Sequence, residues 1–104
     1  MNIEDFRKIN QPENIVITMH GQKRMHERGI LLRDVINAID HGDIIEEYPT
    51  DFPFPSCLIL GISVAGRYLH VVVSMDAGHI NLITTYFPDP DEWEPDMKTR
   101  KERL

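Results

Sequence analysis

The sequence predicts an α+β fold: two N-terminal helices packed on a four-stranded antiparallel sheet, followed by a C-terminal helix. Three observations predict it. Capping and apolar signals of helical spacing fill residues 18–42. From Ile44 the apolar period changes to that of strands. The strands that follow are joined by tight glycine-containing turns, as in an antiparallel meander. Helices followed by a run of hairpins place the helices on one face of the sheet.

Residues 1–14 are polar, contain Pro12 and read as a lead-in helix or arm. Ile15-Val16-Ile17 is a brief apolar stretch, and Thr18 can cap the next helix. Gly29 is placed to end that helix as its left-handed residue. Gly21, in the first turn, costs up to about 1 kcal/mol against Ala and leaves room for a close approach. A second helix spans about Leu32 to Asp40, with Val35, Ile36 and Ile39 on its apolar side and His41-Gly42 as the stop. Ile44 to Tyr48 is a candidate strand. Pro49, Pro53 and Pro55 stiffen the loop after it. Cys57–Val64, Arg67–Met75 and His79–Phe87 are three strands turning at Ala65-Gly66 and Asp76-Ala77-Gly78. Pro88-Asp89-Pro90 ends the sheet. Asp89 as N-cap, Pro90 at N1 and Glu92 at N3 predict a last helix through Trp93 toward Arg103. The domain is single over 1–104, divided as arm 1–14, helix pair and sheet 15–87, and helix 88–104.

Composition narrows the function classes. The chain has 104 residues, 41% of them hydrophobic, which suits one core. Cys57 is the one cysteine, so an intramolecular disulfide and a multi-thiolate zinc site are excluded. Its neighbours Ser56, Leu58, Ile59 and Leu60 mark it as a small buried side chain. No apolar run approaches the roughly 20 residues that span a bilayer. The acidic start, Met1-Asn2-Ile3-Glu4-Asp5, lacks the parts of a signal peptide, so a cytoplasmic protein without membrane contact is expected. The net charge of −6 disfavours indiscriminate nucleic-acid binding. The charge is nevertheless uneven. Four of the eleven Lys and Arg lie in 23–33 and four more in the last seven residues, while acids crowd 40–51 and 89–96.

The helix that opens at Thr18 carries His20, Arg24 and Arg28 four residues apart, hence on one face, with Lys23 beside them. Guanidiniums offer forked donors to phosphate, and an imidazole moves a proton near neutral pH. The bland alternative is a solvated charged face in which Glu27 and Asp34 pair with the arginines.

His70 stands in the apolar strand Arg67-Tyr68-Leu69-His70-Val71-Val72-Val73. Alternation sets Tyr68, His70 and Val72 on one face and Leu69, Val71 and Val73 on the core face. His70 then either opens onto a cleft beside the first helix or is a satisfied core histidine. Strict alternation groups Tyr86 with Ile80, Leu82 and Thr84. Tyr86 either anchors a loop or serves the site. His26-Glu27-Arg28-Gly29-Ile30 starts like a zinc-protease motif but has Ile30 where the second histidine belongs. His41 and His79 read as surface residues, and the histidine spacing suits no metal site. No phosphate-binding glycine loop or nucleophile elbow is present, and no cofactor is implied. If His20 and His70 converge with the arginines, two imidazoles can serve as general base and acid on an RNA phosphodiester, whose 2′-hydroxyl is the nucleophile.

Ile17-Thr18-x-His20, Arg24-Met25-x-x-Arg28-Gly29-Ile30, Leu69-His70-Val71-Val72 and Thr85-Tyr86-x-Pro88-Asp89-x-x-x-Trp93 together resemble a bacterial domain-of-unknown-function family, the DUF4258 type. That family is grouped with the barnase/EndoU/colicin/RelE-like ribonucleases. The resemblance implies a RelE/barnase-like helix pair on a four-stranded sheet. It implies an active face of His20, Arg24, Arg28, His70 and Tyr86, and a toxin-like member encoded beside a small zinc-finger antitoxin. Gly21 stands where the family commonly has Ala.

The leading expectation is a metal-independent endoribonuclease, the toxin of a toxin–antitoxin pair, acting on RNA that includes ribosome-associated mRNA. Lys23, Arg67, Lys98 and Arg100 are its candidate RNA-backbone contacts. The alternative is a non-catalytic module that binds an anion, RNA or a protein partner through the cationic helix. A third is a domain whose histidines are structural.

Overall fold

A computed structural model describes residues 1–102. In chain order the elements are α1 (Ile3–Arg7), a 3-10 turn (Pro12–Asn14), β1 (Ile15–Ile17), α2 (Met19–Arg28), α3 (Leu32–His41), β2 (Asp43–Tyr48), β3 (Ser56–Ile62), β4 (Tyr68–Asp76) and β5 (His79–Tyr86). The fold is α+β, with three helices and one five-stranded mixed sheet in the order β1-β5-β4-β3-β2.

The helix signals act as read. The Thr18 hydroxyl accepts from Gly21 N at 3.0 Å, and Gly29 ends α2 at φ 69°, where a side chain would be strained. Asp34 receives Leu31 N at the start of α3 and Val64 N from the β3–β4 turn, both at 2.9 Å. Arg7 of α1 reaches the other end of α3, donating to Ile39 O at 3.1 Å and Gly42 O at 2.6 Å. A cation there satisfies carbonyls that the helix leaves open.

The helices cover one sheet face. Val35, Ala38 and Ile39 of α3 pack with Cys57, Ile59, Leu69, Val71 and Val73 in the main core. Full burial of Val35 or Ile39 contributes about 2 kcal/mol each. Gly61 lets α3 lie directly on β3, since a Cβ there would stand 2.3 Å from Ala38 O. Cys57 is buried and its thiol is pushed up to about 12, so it is an inert core side chain.

Three features differ from the sequence reading. First, Ile15–Ile17 is a strand, and it pairs with β5 in parallel, Ile15 with Ile80 and Ile17 with Leu82. The sheet therefore has five strands rather than four and is mixed. Second, β5 carries a bulge. Val73 pairs with Leu82 but Val72 pairs with Thr84, so Ile83 is the extra residue. Leu82 and Thr84 consequently face opposite ways, and Tyr86 joins His70, its cross-strand partner, rather than Ile80 and Leu82.

Third, no helix forms over the described part of 88–104; Arg103 and Leu104 lie outside the described residues. The cap signal yields a single turn, with Glu92 N and Trp93 N donating to Asp89 O at 2.9 and 3.0 Å. Pro95 then ends it, because proline lacks an N–H and forces Glu94 out of the helical region. The chain turns back on itself instead. Glu94 N donates to Thr99 O at 2.8 Å and Lys101 N to Glu92 O at 3.0 Å, while Asp96 takes Lys98 N and Thr99 N at 3.0 Å each. This strap covers the sheet face opposite the helices. Trp93, 2% exposed, is its anchor. Among the described residues no helix is long and apolar enough to cross a membrane.

Candidate anion-binding and catalytic site

β1 pairs with β5 only as far as Leu82. Beyond it the chain leaves the sheet at Thr18 to start α2, so the edge of β5 from Ile83 to Tyr86 faces a helix instead of a strand. Between them lies a cavity of about 230 Å³. His20, Arg24 and Arg28 all line it, as their four-residue spacing predicts, with Gly21 beside them on α2 and Thr84 and Thr85 of β5 opposite.

Arg28 is the anchored member. Its Nη1 donates to Thr85 O at 2.8 Å and lies 3.4 Å from Thr84 Oγ1. That carbonyl belongs to the open strand edge, and the guanidinium supplies the donor a neighbouring strand would have given. Its other N–H groups remain available. Arg24 and His20 are exposed. Among the described residues neither has a hydrogen-bond or ion-pair partner, and neither does Lys23. The alternative of internal pairing does not hold. Asp34 is spent on two backbone amides, and Glu27 makes no ion pair among the described residues. Gly21 lets the first turn of α2 lie close on the end of β1: a Cβ there would meet Ile17 Cγ2 and Thr18 Oγ1 at 3.2 Å.

His70 and Tyr86 do not line this cavity. His70 is fully buried on the strap side of the sheet, not open to a cleft beside α2. Its Nε2 is 2.6 Å from Met97 O. A carbonyl only accepts, so Nε2 carries the proton and Nδ1 is left to accept from the Tyr86 hydroxyl at 3.4 Å. The ring meets Trp93 edge-on at 4.5 Å and Tyr86 at 5.3 Å. Burial pushes the imidazole below its ordinary value and the Tyr86 phenol above its own. Nearby, Arg100 grips Glu46 at 2.9 and 3.0 Å and lies over the Trp93 ring at 4.6 Å. These bonds hold the Glu46 carboxyl below its usual range. Burial, and then the bond to Glu46, pushes Tyr48 up to about 12.

The structure therefore divides the five catalytic candidates into His20, Arg24 and Arg28 on one side and His70 with Tyr86 on the other. It also spends one of the proposed RNA contacts, Arg100. Arg67 stacks over Phe87 at 3.7 Å, and Arg100 is committed to Glu46. Lys23 and Lys98 are exposed. Sequence reasoning missed Thr84 and Thr85, which close the cavity. Their signal was a pair of hydroxyl residues at the end of a strand, directly before Tyr86.

The fold and cavity define a small α+β domain with a cationic pocket at an open sheet edge. The family model described as Domain of unknown function (DUF4258) matches residues 17–87, and the chain belongs to that family. The matched stretch contains every residue that lines the pocket and stops before the strap. Comparison with curated proteins and with solved structures gave no match.

Proposed function

We propose that this protein is a metal-independent endoribonuclease of the barnase/EndoU/colicin/RelE-like type, the bacterial and cytoplasmic toxin of a toxin–antitoxin pair. One observation carries the reading. His20, Arg24 and Arg28 converge on a solvent-open cavity, and no carboxylate among the described residues neutralises the two guanidiniums. A phosphodiester supplies the missing charge. Arg28, held by Thr85 O, fixes the orientation, and Arg24 closes on the phosphate oxygens. His20 takes the proton of the RNA 2′-hydroxyl as its oxygen bonds to phosphorus. The P–O5′ bond breaks, and O5′ takes a proton from water, which reaches the open pocket. The products are a 2′,3′-cyclic phosphate and a 5′-hydroxyl. The guanidiniums stabilise the added charge on the five-coordinate phosphorus, which is the role a metal would otherwise fill. His70 and Tyr86 enter by holding the strap. RNA, including ribosome-associated mRNA, is the substrate class, and a zinc-finger-type antitoxin would silence the enzyme by covering the cavity.

The test is RNA cleavage by the purified chain in EDTA, with and without ribosomes. Wild type should give cyclic-phosphate ends. His20→Ala should lose about 10²–10⁴-fold in rate, and Arg24→Ala about 10²-fold. Intact RNA under both conditions sinks the catalytic reading. The second reading, a non-catalytic RNA- or partner-binding module, is favoured by the single imidazole in the cavity. Binding without cleavage, lost in Arg24→Ala and kept in His20→Ala, would establish it.

A further inference from the structure

The cationic cavity does not end at the bulge. Thr18, Leu82 and Ile83 also line a second cleft of about 530 Å³. Its far walls are of another character. Phe52 and Phe54 come from the loop between β2 and β3, where Pro49, Pro53 and Pro55 limit the backbone. Phe52 is 95% exposed, and among the described residues it makes no ring or cation contact. Val16 and Ile83 are half exposed beside it. The charged groups of the cleft are acceptors, Asp51 and Asp76. Asp76 is exposed, Asp51 keeps one carboxylate oxygen after taking Ser56 Oγ, and Asn81 donates one amide N–H to Ser74 Oγ, leaving its oxygen and its second N–H.

The two adjoining hollows thus divide by charge, guanidiniums at one end and carboxylates with bare aromatic rings at the other. A nucleotide is divided the same way, into an anionic phosphate and a flat base whose edge carries N–H donors. We infer that the aromatic cleft is a nucleobase subsite for the residue flanking the phosphate held by Arg24 and Arg28. The base stacks on Phe52, and its amino group donates to Asp76, Asp51 or Asn81. Carboxylates accept and do not donate, so bases with an exocyclic amine are preferred. Uracil, with one N–H and two carbonyls, offers the carboxylates least. The inference rests on the phosphate-binding reading of the cationic pocket.

The test uses the full chain and fluorescein-labelled hexamers of 2′-O-methyl adenosine and 2′-O-methyl uridine, which lack the nucleophile and stay intact. Their binding is followed by anisotropy. Inorganic phosphate is titrated separately, with the Gly21 amide NMR signal as readout. Phe52→Ala, at an exposed site, should weaken the adenosine hexamer about tenfold and the uridine hexamer less. Phe52→Trp should restore it, and phosphate binding should not change. Asp76→Asn should narrow the preference for adenosine. Phe52→Ala acting equally on both hexamers, or within about twofold of wild type on adenosine, overturns the subsite. So does a concentration-dependent dimer that Phe52→Ala abolishes while hexamer binding is untouched. Phosphate binding with an Arg24→Ala effect on both hexamers, but a silent Phe52→Ala, removes the subsite alone. No phosphate response in wild type and no Arg24→Ala effect remove the parent reading with it.

Discussion

Replacing His70 with alanine should cost stability rather than chemistry. The ring is fully buried between β4 and the strap. It gives the strap a donor at Met97 O, 2.6 Å away, and packs edge-on against Trp93 at 4.5 Å. Truncating a buried ring to a methyl group typically costs 2–5 kcal/mol, and an orphaned carbonyl adds about 1 kcal/mol unless water reaches it. Because the strap lies at the surface and can rehydrate Met97 O, about 3 kcal/mol is the balance. In a domain of this size that lowers Tm by roughly 15 °C. His70→Gln keeps a donor and should recover about 1 kcal/mol of the loss. Trp93 is the only tryptophan and touches His70, so its fluorescence in a urea titration reports the event directly. A His70→Ala protein within about 0.5 kcal/mol of wild type, yet unable to cleave RNA, would refute this reasoning. It would return His70 to the role of proton carrier.

Two further outcomes follow from the same contacts. Gly61→Ala should destabilise by about 3 kcal/mol or more, because its methyl group would stand 2.3 Å from Ala38 O, on backbone that cannot rotate away; a urea midpoint unchanged from wild type would contradict the helix–strand contact. Stability should also fall with acid. His70 sits below its ordinary 6.5, so the unfolded chain binds a proton that the folded chain refuses. The contribution is full above that value and shrinks as pH drops from it to the lower folded value. Glu46, depressed from 4.5 by Arg100, adds stability above that value that is lost as pH falls through its own folded pKa. Both act in one direction, so a urea midpoint that rose between pH 7 and pH 5 would contradict the assignment, and His70→Gln should flatten the upper part of the curve.

What the sequence reveals here is what local chemistry decides. Thr18 and Gly29 bound α2 because a hydroxyl cap and a left-handed glycine act within a few residues. The spacing of His20, Arg24 and Arg28 carries straight into the cavity because a helix preserves it. What is not legible depends on partners far along the chain. Ile15–Ile17 is too short to announce a strand, and its pairing with Ile80–Leu82 spans more than sixty residues. The bulge at Ile83 interrupts no obvious pattern, yet it turns Tyr86 to the other face, and the strand edge that Arg28 binds is open because β1 stops at Leu82. At Asp89 the capping signal was real and made its turn. Trp93 then found more burial under a strap than a solvent-facing helix would have given it, and Pro95 blocked the alternative.

The acidic balance of the chain and its cationic pocket are compatible once the spent charges are removed. Arg100 is neutralised by Glu46, and exposed Lys98 and Lys101 stand beside the acids of 89–96, so the basic tail is no continuous cationic track for a nucleic-acid backbone. At the pocket itself the cations are Arg24, Arg28 and the adjacent exposed Lys23. Two or three cations neutralise two or three phosphates, and for single strands the logarithm of affinity falls with that of salt at about 0.7 per phosphate. A labelled 12-nucleotide RNA should therefore show a slope of about −2 between 50 and 300 mM salt. Arg24→Ala should reduce that slope by about 0.7. A slope steeper than about −4 would mean a long basic track that these contacts do not provide. With so few phosphate contacts the pocket cannot hold RNA by charge alone against a net −6 surface. If the proposed function holds, selection comes from what sits beside the phosphate, and the aromatic cleft adjoining Ile83 is the inferred place for it.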